Sequence, residues 1–114
     1  MKYIRLFTGE DGKSYFAEVD AGFEKKLPLG NYSKTYDVKG MMFRDFEEGA
    51  LFDWHTAPQP QYIIYLEGSV EVEASGGEKR IFRPGDILFA ADVSGKGHIT
   101  RTLTKGRSII ITTE

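Results

Sequence analysis

Apolar and β-branched residues gather in short runs along this chain, parted by glycine, asparagine, aspartate or proline. No stretch holds the spacing of an amphipathic helix. Tyr3–Phe7 and Ser14–Val19 flank the turn-rich TGEDGK and predict an N-terminal hairpin. From Asp20 to Lys39 the pattern dissolves around Pro28, Gly30 and Asn31, which predicts a loop carrying Tyr32 and Tyr36 across the molecule. Met41–Phe46 and Ala50–His55 are the next strand candidates, after which Pro58 and Pro60, lacking backbone N–H groups, break any ladder. Gln61–Leu66 resumes as a strand, and Val70–Ala74 alternates with the period of two of a half-exposed one. Turns at Ser75-Gly76-Gly77 and Arg83-Pro84-Gly85-Asp86 enclose Glu78–Arg83 and lead into Ile87–Ala90. A glycine-bearing loop, Asp92 to Gly97, precedes His98–Leu103, and Ser108–Thr113 ends the series. Roughly nine or ten short strands with close turn signals predict an all-β barrel or double-sheet sandwich, formed by residues 1–114 as one domain.

Composition narrows the class of function. A length of 114 residues suffices for one core, and 40% apolar content excludes a disordered chain. The net charge of −2, with signs interspersed, argues against nucleic acid and anionic membranes as partners. The absence of cysteine removes disulfides, thiolate metal sites and a cysteine nucleophile. MKYIRLFTGEDG lacks the apolar stretch of a secretion signal, and no run approaches the roughly 18 apolar residues of a membrane span. The expectation is a cytoplasmic protein.

The candidate chemistry centres on the two histidines, His55 and His98, each at the end of a predicted strand. Around them, DWHTAPQPQYIIYLEG and RPGDILFAADVSGKGH resemble the paired motifs of the cupins, small jelly-roll β-barrels also described as double-stranded β-helices. His55 stands at the first histidine of that pattern, Ala57 at the second, Gln61 at the glutamate, Gly68 at the glycine, and His98 at the last histidine. The likeness spans nearly the whole chain and extends to short bacterial cupin-domain proteins with Trp-His-x-Ala-Pro-x-x-Gln and Gly-Lys-Gly-His segments. The resemblance implies a divalent metal such as Mn, Fe, Ni or Zn, here on His55, Gln61 and His98. Gln61 would serve through its carbonyl oxygen, without a carboxylate's charge.

A metal-free pocket binding an organic ligand stands beside the metal reading, as does a purely structural pair of histidines. Asp53 shares strand parity with His55 and is expected to face the same way, and Asp92 is a second carboxylate able to compensate if it faces inward. Ile63 and Tyr65 share Gln61's parity and are expected to line the interior, whereas Trp54 faces away. Lys96 and Arg101 are the cations near the mouth, Arg101 being the better bidentate partner for a carboxylate or phosphate. Neither a nucleophile elbow nor a Walker loop is present, so His55 and His98 are the candidate catalytic groups, as acid and base or through a metal they hold. The functional expectation is a small-molecule-binding cupin, either a metal-assisted enzyme on a sugar derivative or small organic acid or a non-catalytic binding or sensing module. The apolar N-terminal strands and Ser108–Thr113 are read as edges in need of cover, which predicts a homodimer.

Overall fold

The computed structural model covers all 114 residues and contains strands and turns only. Twelve strands follow in order: β1 (Lys2–Thr8), β2 (Ser14–Asp20), β3 (Lys25–Leu27), β4 (Gly30–Tyr32), β5 (Gly40–Phe46), β6 (Leu51–His55), β7 (Gln61–Glu67), β8 (Val70–Ala74), β9 (Lys79–Phe82), β10 (Ile87–Ala91), β11 (His98–Thr102) and β12 (Gly106–Thr112). They form a six-stranded sheet in the order β2-β1-β10-β7-β12-β5 and a four-stranded sheet in the order β6-β11-β8-β9. The core lies between these sheets, where alternate residues converge: Leu6, Ile63, Leu88, Ala90 and Ile110 from the larger sheet, Val70, Val72 and Phe82 from the smaller. Apolar inward positions on both sheets supply the main driving force for closing them together.

The segment 20–39 contains more order than its breakers imply. Pro28 and Leu29 form a turn that joins β3 to β4 as a small separate hairpin, with Gly30 at φ 141°. Two other expectations change with the topology. β12 lies between β7 and β5, and β1 lies between β2 and β10, so of the strands expected at an edge only β2 of the N-terminal hairpin is one. The free edges are β2 and β5 of the larger sheet and β6 and β9 of the smaller. No helix is long and apolar enough to cross a membrane.

A bulge next to the histidines sets the geometry of the interior. His55 pairs with His98, but Phe52 pairs with Thr100, so Asp53 and Trp54 together face the single residue Ile99. This extra residue breaks the alternation of β6 and turns Phe52 and His55, three apart, to the same inner face. Gly97 adopts φ +72° beside this pairing, and a Cβ there would collide with the carbonyl of His55. Gly95, also left-handed, lies against the carbonyl of Gly12, to which Lys96 donates its backbone N–H at 2.9 Å. The Gly-Lys-Gly segment is thus a close-packed backbone crossing ahead of His98. Gly97→Ala is expected to cost ~2 kcal/mol or more in folding free energy, measured by urea unfolding; an unchanged midpoint would contradict this account.

Candidate functional site

The inner faces of the two sheets enclose a cavity of about 490 Å³ whose polar end carries both histidines. Their ring centroids are 4.2 Å apart and the planes meet at 57°. His98 is buried on β11, and its Nδ1–H donates to Oδ2 of the fully buried Asp92 at 2.5 Å. His55 Nδ1–H donates to the carbonyl of Asp53 at 2.7 Å, and Phe52 stacks on its ring at 3.5 Å and 14°. A carbonyl and an ionised carboxylate only accept, so both imidazoles carry their proton on Nδ1. Nε2 is left on each ring as the atom for a ligand or a proton. The imidazoles are therefore oriented by Asp53's backbone and Asp92's carboxylate, and not by Gln61. Burial holds the His55 pKa below 6.5, the Asp53 carbonyl opposes that shift, and the neighbouring His98 adds to it.

Asp92 has a second oxygen, Oδ1, which is buried without a hydrogen-bond partner. Its backbone carbonyl accepts the N–H of Ala57 at 3.1 Å, which fastens the 56–58 segment over the polar end. A buried carboxylate with one oxygen orphaned is costly unless its partner donates well. That fixes the His98 tautomer.

Of the residues singled out in the sequence, His55, Gln61, Ile63, Tyr65 and His98 line the cavity. Asp53 and Arg101 do not. The bulge removes the parity on which Asp53's inward direction depended, and its side chain is exposed, with Oδ1 accepting the Trp54 N–H at 2.9 Å. Arg101 is on the outer face of the smaller sheet, where it pairs with Glu73 at 2.8 Å and Glu71 at 3.1 Å. Lys96 is exposed in its loop, and Trp54 is 49% exposed, facing away from the interior as expected.

Of the cavity residues that the sequence reading did not single out, Phe52 and Arg44 bear most on its chemistry. Phe52 was hidden by the bulge. Arg44 projects inward from β5 with Phe46, and its Nε donates to Ser108 Oγ at 3.0 Å. The alternation of Met42, Arg44 and Phe46 in MMFRDF was the available signal. Tyr65 is stacked on Phe82 at 5.4 Å, and burial pushes its phenol up to about 12, against the pull of the Arg44 guanidinium. It faces the cavity as a neutral donor.

The donor set for a metal consists of two imidazole Nε2 atoms and the Gln61 amide oxygen. No group of three or more His, Cys, Asp or Glu side chains converges anywhere in the fold. Three such protein ligands are usual for a catalytic zinc, so the residues present do not make up a resident metal centre by themselves.

No family model matches the chain. Over 61 residues, 54% of its length, the chain is 31% identical to the Oryzines biosynthesis cluster protein J of Aspergillus oryzae. The match takes in 32% of that protein, so the chain spans about a third of the curated relative. Among solved structures, a Salmonella typhimurium protein described as ethanolamine utilization protein Q aligns over 97% of this chain and 94% of its own. The TM-score is 0.54 at 19% identity. A conserved Streptococcus pyogenes protein of unknown function aligns over 73% of this chain and 69% of its own, with TM-score 0.56 and 13% identity. A Neisseria meningitidis protein aligns over 71% and 88%, with TM-score 0.53 and 17% identity. These likenesses bear on the fold alone. The chain has the all-β, cupin-like jelly-roll fold.

Two consequences are measurable. His55 binds its proton at lower pH in the fold than the ordinary 6.5. The stability it contributes is therefore present above pH 6.5 and lost as pH falls from there through the folded-state value. With only two histidines in the chain, NMR titration should show one imidazole with a midpoint below 6.5; two ordinary midpoints would refute the burial. His98→Ala should cost about 3 kcal/mol by stranding the Asp92 carboxylate. The doubly substituted Asp92→Ala/His98→Ala chain should lose less than the two single losses combined, as a denaturation-based double-mutant cycle would show.

Proposed function

We propose that this chain binds a small organic acid in the cavity between its sheets, with the ligand's carboxylate at Arg44 and its reactive or polar group at the Nε2 atoms of His55 and His98. Arg44 carries the proposal. It is the one cationic side chain on the cavity wall, held through Ser108 Oγ and beside the neutral donor Tyr65. A carboxylate there completes charge-assisted hydrogen bonds that a neutral sugar does not. The volume suits a small ligand, since such sites generally occupy ~300–1,000 Å³. Apolar walls from Phe52, Ile63 and Leu88 exclude water along the ligand's length.

At the other end, His98 is set up to hold or move a proton. Asp92 accepts from its Nδ1–H and so leaves Nε2 as the atom that accepts a proton. His55, kept neutral by burial, accepts or relays it. The chemistry that this geometry supports is reversible proton transfer on a bound acid, as in isomerisation or elimination. The stretch shared with a biosynthesis cluster protein accords with a small-molecule role.

Calorimetric titration of the protein with a panel of short mono- and dicarboxylates, with neutral sugars of similar size as controls, tests the proposal. Arg44→Gln should weaken carboxylate binding about 10- to 100-fold, the equivalent of roughly 1.5–3 kcal/mol. Carboxylate binding unchanged in Arg44→Gln, or neutral sugars bound by the wild type as tightly as the acids, would sink the acid assignment. Titration with Mn, Fe, Ni and Zn under the same conditions, observed on the two imidazole resonances, would reveal any metal held through Nε2.

A further inference from the structure

The two sheets differ sharply on their outer faces. The smaller sheet carries Glu71, Glu73, Lys79 and Arg101 outward, joined by ion pairs of 2.8 to 3.9 Å, as suits a face in water. The outer face of the larger sheet is apolar across β7 and β12, with Arg5, Asp45 and Arg107 among the charges that flank this area. Ile109, Ile110 and Ile111 run consecutively along β12, and Tyr62, Ile63 and Ile64 along β7. Runs of this kind belong to strands covered on both sides. The inner face is covered by the smaller sheet, but the outer face is covered only over part of its extent, by residues 21–38.

What remains is large. Met41 and Phe43 on β5 are 58% and 78% exposed, and Phe23 and Val38 of the covering segment 57% and 53%. At roughly 200 Å² for each large side chain these four alone leave on the order of 500 Å² of apolar surface. That is already near the top of what a single chain usually leaves bare, ~300–600 Å². The partly open Ile64, Ile87, Ile109 and Ile111 bring the face towards the ~800 Å² that each partner contributes to a stable pair. The face also contains both halves of a fit. Phe43 projects from it, and beside Tyr3, Tyr36 and Tyr62 it holds a hollow of about 390 Å³ with almost wholly apolar walls.

We infer that a second copy of this chain covers the outer face of the six-stranded sheet, each copy's Phe43 entering the tyrosine-lined hollow of the other. A two-fold axis makes this contact self-complementary, because knob and hollow occur once on each chain. The interface is a face-to-face packing of sheets and does not use the strand edges. It is independent of the ligand assigned to the inner cavity, which Phe43 does not line.

Light scattering coupled to size exclusion on the full chain tests the inference, with vesicle cosedimentation beside it. The wild type should have twice the mass of 12.9 kDa. Phe43→Glu should halve it with the β-sheet circular dichroism retained, since the ring is largely free of the monomer's core. Met41→Glu, on the same outer face, should do likewise and stands in if the first variant misfolds. Ile81→Glu, on the charged sheet, should leave the dimer intact. A monomeric wild type would overturn the inference, and its binding to phosphatidylcholine vesicles, lost in Phe43→Glu, would assign the face to a membrane instead. A dimer that survives both β5 variants, or one that Ile81→Glu breaks as readily, would also overturn it.

Discussion

The pairing of β6 with β11 at His55 and His98 is the constraint on which the interior depends. A regular ladder there would send Phe52 and His55 to opposite faces of the sheet. The extra residue at Asp53–Trp54 sends both inward and leaves the carbonyl of Asp53 within reach of the His55 ring. The same crossing requires Gly97, because no side chain fits against the His55 carbonyl. The Gly-Lys-Gly-His segment thus earns its glycines through backbone contact, and its lysine points to solvent. One irregularity in one ladder accounts for ring orientation, tautomer and stacking partner together.

Much of the fold was legible because its physics is local. Short β-prone runs between turn signals marked the strands from Met41 to Ala90 with small boundary errors, and in Val70–Ala74 the alternation of inward apolar and outward polar residues left a direct trace in sequence. The β3–β4 hairpin was not legible, because three-residue strands around Pro28-Leu29 bury almost nothing and leave no periodic signal. Edges were misjudged for a related reason. An apolar run such as Ser108–Thr113 marks a strand covered on both sides, which is a central position and not an edge. At the site, Gln61, Ile63 and Tyr65 followed parity to the cavity, whereas Asp53 failed where the bulge intervened. Nothing in the sequence signals that bulge.

Asp92 holds His98 in a way that has no counterpart at His55. A carboxylate with no exposure and one orphaned oxygen is an expensive way to hold a ring that a backbone carbonyl holds equally well, as it does at His55. The two rings are thus held differently, His55 by a backbone carbonyl with Phe52 stacked on it and His98 by a fully buried carboxylate, and each keeps its Nε2 unengaged.

β7 and β12 connect this site to the rest of the surface. Their inward residues Gln61, Ile63 and Tyr65 form the cavity wall and Ser108 holds Arg44, while their outward residues form the middle of the bare apolar face. In a strand the two sets alternate on one backbone, so a shift in register would exchange the cavity wall for the outer face. Covering the outer face therefore does more than hide apolar surface. It would clamp the two strands whose opposite side lines the cavity and holds Arg44, so that order on the outer face and geometry at Arg44 rest on the same hydrogen-bonded ladder.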